Sequence, residues 1–188
     1  LPQDGILLFE ESFLTPKESE ELFIHLKNSL NWEQKEIMMY DKLIKIPRLT
    51  AWIGEDVYYA YSNINNQPQA WTEPLLNLKQ KIEAKYGIKL NGCLANLYRT
   101  GKDHISWHSD NEKELGENPA IASISLGAER SFQVKHKYLP LEKVILPLSS
   151  GSLVVMKGAM QKKWLHRVAP TTKPVEERIN LTFRFIYK

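Results

Sequence analysis

Residues 178–186 read RINLTFRFI, and their alternation is strict. Successive side chains of an extended chain point to opposite faces. Arg178, Asn180, Thr182 and Arg184 therefore share one face, and Ile179, Leu181, Phe183 and Phe185 the other. A strand with its polar face in water would fit this pattern equally well. Its neighbours in sequence narrow the choice of fold. From about residue 89 the chain breaks into short apolar or alternating runs: LNGCLANLY, AIASISLG, RSFQVKHK, KVILPL and GSLVVMKG, separated by Gly, Pro, Asn and Ser. Many short strands at close spacing predict a β-sandwich or barrel.

The first half reads differently. In TPKESEELFIHLKNSL, Thr15 can cap a helix, Pro16 suits the first helical position and Glu18 can reach back, with Leu22, Phe23, Leu26 and Leu30 as an apolar stripe. WTEPLLNLKQKIEAKYG predicts a second helix, with Thr72 as cap, Pro74 in the first turn, Leu75, Leu78, Ile82 and Tyr86 on one side, and Gly87 as terminator. Both stripes are expected to pack on a sheet. The fold class is then α+β with a mainly β core and N-terminal helices on one face. Residues 1–188 are read as a single domain, with 1–88 a helical and recognition part and 89–188 the β core. The segments NEKELGENP and TTKPVEER read as exposed loops.

Composition excludes several classes. With 188 residues, 43% of them hydrophobic, the chain can bury a proper core. The single cysteine, Cys93, rules out a disulfide framework or thiolate zinc cage within one chain and predicts a reducing, intracellular setting. No apolar run is long enough to span a bilayer, and LPQDGILLFEE lacks the basic start of a signal peptide, so the protein is expected to be soluble and not exported. A net charge of +3 permits contact with nucleic acid without demanding it.

The chemistry is carried by HISWHSDNE, residues 104–112. In extended chain His108 and Asp110 share a face and converge on one point. His166, in KKWLHRVAP, lies in the same β half and can supply a third ligand. Two histidines and a carboxylate on one side of an ion, with other positions open, is the arrangement of non-haem Fe(II) oxygenases. An H-x-D triplet alone is common and carries little. The competing use is a helical His104/His108 pair binding zinc, as in a hydrolase. The alternation of Ile105 and Trp107 with Ser106, His108 and Asp110 favours extended chain. Beside an iron site, two arginines on the 178–184 face could fork onto the two carboxylates of a diacid. In NLYR, Leu94, Asn96 and Tyr98 share a face, so an amide and a phenol could join them.

Taken together, NLYR, HSDNE, ASISLGAERSFQVKHK, GSLVVMKGAMQKKWLHRV and RINLTFR closely resemble the AlkB family of Fe(II)- and 2-oxoglutarate-dependent dioxygenases, in the branch of the human-type alkylation-repair homologues two and three. The resemblance extends upstream through IPRLTAWIGE and YSN. It implies a double-stranded β-helix, or jelly roll, with His108, Asp110 and His166 as iron ligands and Asn96, Tyr98, Arg178, Asn180 and Arg184 at the co-substrate. It also implies Fe(II), 2-oxoglutarate and O₂ as reactants. N-methyl groups on bases such as 1-methyladenine and 3-methylcytosine, in DNA with RNA as a second class, are hydroxylated and leave as formaldehyde, while succinate and CO₂ are released.

By the same resemblance Arg48, Trp52, Tyr59, Tyr61 and Glu112 fall where the flipped base is held, with Tyr61 stacking on it. Asn111 departs from the relatives' aspartate and puts substrate preference in doubt. Lys135, His136, Lys137, Lys162, Lys163 and Arg167 are candidates for phosphate contacts. A monomer is expected, in the nucleus of a eukaryote or the cytoplasm of a bacterium. The rival functions are a regulatory RNA or protein demethylase of the same family, a nucleic-acid-binding module without catalysis, and the zinc hydrolase.

Overall fold

A computed structural model describes residues 1–39, 41–54, 59–61, 64–66 and 68–187. Two antiparallel sheets face each other. The larger has six strands: β1 (Ile6–Glu10), β4 (Leu49–Gly54), β7 (Gly92–Tyr98), β9 (Ile121–Gly127), β12 (Leu153–Lys157) and β14 (Arg178–Arg184), in the order β1-β12-β9-β14-β7-β4. The smaller has four, β8 (Ile105–His108), β10 (Arg130–His136), β11 (Lys143–Leu148) and β13 (Trp164–Val168), in the order β11-β10-β13-β8. Two short hairpins, β2 (Glu36–Met39) with β3 (Lys42–Lys45) and β5 (Tyr59–Tyr61) with β6 (Ile64–Asn66), stand apart from both.

The alternation in RINLTFRFI sets both faces of the larger sheet. Every residue of β14 is buried, so its polar face is turned into the molecule rather than to water. Ile179, Leu181 and Phe183 join Cys93, Ala95, Leu97, Ala122, Ile124 and Leu126 in one core with the stripes of both helices. Those helices are α1 (Pro16–Ser29), contributing Leu22 and Leu26, and α2 (Glu73–Tyr86), contributing Leu75, Leu78 and Ile82. The opposite face looks across at the smaller sheet. There a second core gathers Ile121, Val154 and Met156 with Phe132, Val134, Leu148, Trp164 and Val168.

Local signals placed the helix ends. Thr15 and Glu18 form the expected capping box: Glu18 N–H donates to Thr15 Oγ1 at 3.2 Å and Thr15 N–H to Glu18 Oε2 at 2.7 Å. Thr72 occupies the cap of α2 without a side-chain capping bond, and Gly87 ends the helix in the left-handed conformation. Cys93 is fully buried, and burial pushes its thiol well above the ordinary range, which leaves it inert.

The first 88 residues are not only helical. β1 pairs with β12 at one edge of the larger sheet, and β4 pairs with β7 at the other. β4 carries Trp52, 1% exposed, against Leu94, Leu115 and Ile186. It leaves no room above β7: a Cβ on Gly92 would sit 2.4 Å from Trp52 Cη2 and 2.6 Å from Cζ2. Gly92→Ala should therefore lower stability by about 1–3 kcal/mol, the usual cost of overpacking. Urea denaturation followed by tryptophan fluorescence measures it.

Candidate metal and co-substrate site

β8 is extended, as its alternation predicted, and His108 at its end lies directly opposite His166 of β13. The two rings are 4.3 Å apart between centroids. Asp110, just past the strand, turns its carboxylate between them: Oδ1 is 3.9 Å from His108 Nε2, and Oδ2 is 3.8 Å from His166 Nε2. One ligand atom from each residue lies within 4.8 Å of the others. These separations are too long for hydrogen bonds and suit three groups arranged around a common ion.

Protonation states agree with that arrangement. His108 Nδ1 is 2.8 Å from the Ser106 carbonyl, which can only accept, so Nδ1 carries a proton and Nε2 is the nitrogen turned to the cluster. Burial, reinforced by the neighbouring His108, pushes His166 down to about 3 and keeps it neutral. For Asp110 burial acts to raise the pKa, but the opposing positive charge, that of the Arg184 guanidinium with Nη2 at 3.8 Å first, outweighs it, and the carboxyl is held below its ordinary range. Two imidazoles and a carboxylate, clustered among the described residues, fit a divalent first-row metal.

Beside this cluster runs a narrow cavity between the sheets, lined by Asn96 and Tyr98 of β7, Ser123 of β9, and Arg178, Asn180, Thr182 and Arg184 of β14. Arg178 is 1% exposed. One of its nitrogens, Nη2, donates to Ser125 Oγ at 2.9 Å, its guanidinium lies 5.1 Å from the Tyr98 ring centroid, and among the described residues Nε and Nη1 have no hydrogen-bond acceptor. A buried cation without a counter-ion is costly, and burial pushes its pKa down. The cavity is built to receive an anion.

The other expected residues divide. Asn180 lines the cavity, but its amide is engaged: Nδ2 donates to Ser123 Oγ at 2.7 Å and to the Ile124 carbonyl at 3.0 Å, while Oδ1 accepts from Thr182 at 3.0 Å. Arg48 is buried, donating from Nε to Asn96 Oδ1 at 2.8 Å and from Nη1 to the His104 carbonyl at 3.3 Å. That contact fixes the Asn96 amide with its Nδ2 free to donate elsewhere. Trp52 sits in the core described above, and Glu112 is half-buried at the start of a short turn, 113–115. The side chains of Tyr59 and Tyr61 lie outside the described residues.

His104 is not part of the cluster; its Nδ1 bonds the Lys102 carbonyl at 2.8 Å, and strand β8 removes the helical pairing with His108. Of the basic candidates, His136 is buried against Trp164, accepting backbone N–H groups from Tyr138 and Leu139. Lys137 bonds inward to Ser109 Oγ and the Gln161 carbonyl. Lys135 and Arg167 lie over Trp107, 4.5 and 4.4 Å from its centroid, Lys163 lies over Tyr138, and Lys162 pairs with Glu117. Sequence reasoning passed over Ser125 and Gln161. Ser125 alternates with Ile124 and Leu126 and could have been placed with Ser123 on the polar face, whereas no periodic pattern marks Gln161.

Residues 6–184 match the family model described as the 2OG-Fe(II) oxygenase superfamily. The chain belongs to that superfamily. Within it the chain is 41% identical over 184 residues to alpha-ketoglutarate-dependent dioxygenase alkB homolog 3 of Homo sapiens, covering 93% of this chain and 64% of that protein. It is 32% identical over 180 residues to DNA oxidative demethylase ALKBH2 of Homo sapiens, covering 90% of this chain and 69% of the relative. The chain thus spans just under two thirds of the length of the alkB homolog 3 proteins and belongs with the AlkB group.

Among solved structures, that of OsALKBH1 superposes with a TM-score of 0.69 at 17% identity, covering 98% of both chains. A prolyl hydroxylase from Trichoplax adhaerens, in complex with a hypoxia inducible factor peptide fragment, gives 0.67 at 14%, covering 95% of this chain and 83% of that one. At these identities the likeness speaks for the fold, a jelly-roll type core.

Arg48 offers a direct check on burial against surface contact. Arg48→Met would strip Asn96 Oδ1 and the His104 carbonyl of their donor, and stability should fall by about 1–3 kcal/mol in urea denaturation, the cost of leaving buried acceptors unsatisfied. An exposed substrate contact would show no such loss.

Proposed function

We propose that this chain is an Fe(II)- and 2-oxoglutarate-dependent dioxygenase that removes N-linked methyl groups from nucleobases, such as 1-methyladenine and 3-methylcytosine, in alkylation-damaged DNA and in RNA. The observation that carries the reading is the buried His108–Asp110–His166 cluster set beside Arg178, a buried cation with unused donors. The alkB homolog 3 and ALKBH2 relatives support the substrate class.

Each side chain has a task that its surroundings explain. His108 turns Nε2 to the cluster while its Nδ1 is held by the Ser106 carbonyl, His166 stays neutral and Asp110 stays ionised, so together they would hold the metal. Arg184 lies beside Asp110 and would meet the end of the diacid nearest the metal. Arg178 lies on the same face of the strand, six residues before Arg184, and lines the same cavity. It would fork onto the far carboxylate, with Ser125 fixing its plane and Tyr98 flanking it. Asn96, its Oδ1 occupied by Arg48, turns donors toward the same anion.

With Fe(II), 2-oxoglutarate and O₂ bound, one oxygen atom enters succinate as CO₂ leaves, and the other enters a C–H bond of the N-methyl group, which then departs as formaldehyde. The walls of Phe132, Leu148, Met156 and Val168 keep water from the cavity while this proceeds. Tyr61 and Glu112 are proposed to grip the extruded base, and the charge of +3 to favour the phosphate backbone.

Formaldehyde release from methylated single-stranded DNA, duplex DNA, RNA and a methylated histone peptide tests the reading. Turnover is expected on the nucleic acids and should fall more than about 100-fold in Asp110→Ala, since losing a ligand exceeds the 10–100-fold typical of losing an outer contact. Arg178→Ala should weaken 2-oxoglutarate binding at least about 30-fold, as truncating a buried charge pair does, with little change in metal affinity. Turnover on the peptide alone, or full activity in Asp110→Ala, would defeat the proposal.

A further inference from the structure

The turn that carries Asp110 is gripped from behind. Gln161 lies in the short helix α3 (Met160–Lys163) and is 1% exposed. Its Oε1 accepts the Asp110 backbone N–H at 3.0 Å. Its own carbonyl accepts Lys137 Nζ at 2.9 Å, and the same ammonium donates to Ser109 Oγ at 3.1 Å. Both residues that follow His108 are thus tied to α3 and to the end of β10.

The environment of Gln161 is a poor one for an amide. Among the described residues its Nε2 reaches Met156 Sδ alone, at 3.5 Å, and a thioether is a weak acceptor. Burying an amide with so little in return disfavours glutamine over methionine or leucine at this position. What a hydrocarbon side chain could not supply is the acceptor for Asp110 N–H. The carboxylate, by contrast, is met by Arg184 across 3.8 Å, a charge contact too long to fix its orientation. The backbone bond fixes the stretch of main chain from which the carboxylate projects.

We infer that Gln161 is a positioning residue: through the Asp110 N–H, and braced by Lys137, it holds the carboxylate within reach of both imidazoles and so sets the affinity of the site for its metal. This rests on reading His108, Asp110 and His166 as the metal ligands. Outer contacts of this kind are typically worth 10–100-fold in metal affinity.

Calorimetric titration with Mn(II), a redox-stable probe for Fe(II), tests it on the wild-type chain, Gln161→Met and Lys137→Met. Wild type is expected to bind one ion, Gln161→Met to bind it about tenfold or more weakly, and Lys137→Met about threefold more weakly. In turnover, the Fe(II) concentration for half-maximal rate should rise by the same factor in Gln161→Met while the rate at saturating Fe(II) stays within about twofold, a split that a general loss of structure would not produce. No Mn(II) binding by wild type would remove the metal reading and this inference with it. Binding by wild type and equally by Gln161→Met would overturn the inference alone. If Gln161→Met fails to fold, Lys137→Met decides, and an unchanged affinity there counts against it.

Discussion

Burial of β14 on both faces is the constraint from which the rest of the structure follows. Its apolar side chains need helices above them, which α1 and α2 supply. Its polar side chains need a second sheet below, or two guanidiniums would have stayed in water. Once the smaller sheet closes over Arg178 and Arg184, their charge must be answered from within the cavity. Asp110 answers part of it, since its Oδ1 lies 3.8 Å from Arg184. Arg178 is answered by a hydroxyl and an aromatic ring, which are weak substitutes for an anion. The cavity is thus held in tension by the strand that stabilises the fold.

That tension gives the ligand a role in stability. Anything that binds the folded chain and not the unfolded one stabilises it by mass action, and an anion that pairs a buried guanidinium does so while relieving a desolvation cost already incurred. Metal acts in the same direction through different atoms. Neutral His166 and ionised Asp110 are already in the states that ligation requires, so neither has to lose a proton first. The fold arrives with the electrostatic work of preparing the site largely done.

Much of this was legible in the sequence where the signal was periodic or local. RINLTFRFI declared its two faces, and ISWH alternated as a strand should, which set His104 apart from His108. Thr15, Pro16 and Glu18 marked the start of α1 within three residues. The alternation could not say whether the polar face of β14 met water or a cavity, because period two is indifferent to what lies beyond the sheet; the resemblance to a known family supplied that. β1 and β4 were harder to see, since ILLFE and LTAWIG are short apolar runs whose partners, β12 and β7, are distant in sequence. Arg48 and Trp52 were read as holding the base, and the sequence did not show which neighbours they pack against. A polar or aromatic residue in such a run is placed by the strand it pairs with, and only the assembled sheet shows Arg48 turned inward onto Asn96.

The distribution of charge in the finished site also orders its occupants. Before any ligand enters, the cavity holds two guanidiniums and one carboxylate, with the carboxylate at the Arg184 end. A diacid drawn in by both cations would find the Arg184 end partly neutralised and the Arg178 end bare. Its first firm contact is therefore with Arg178, by Coulomb attraction alone. A divalent cation held by Asp110 and the two imidazoles reverses this, because it neutralises the carboxylate and makes the Arg184 end the more positive of the two. On the proposed reading the second carboxylate would be drawn to the metal-binding end while the first stays with Arg178, and metal and diacid would favour each other's binding through a coupling that is reciprocal by linkage.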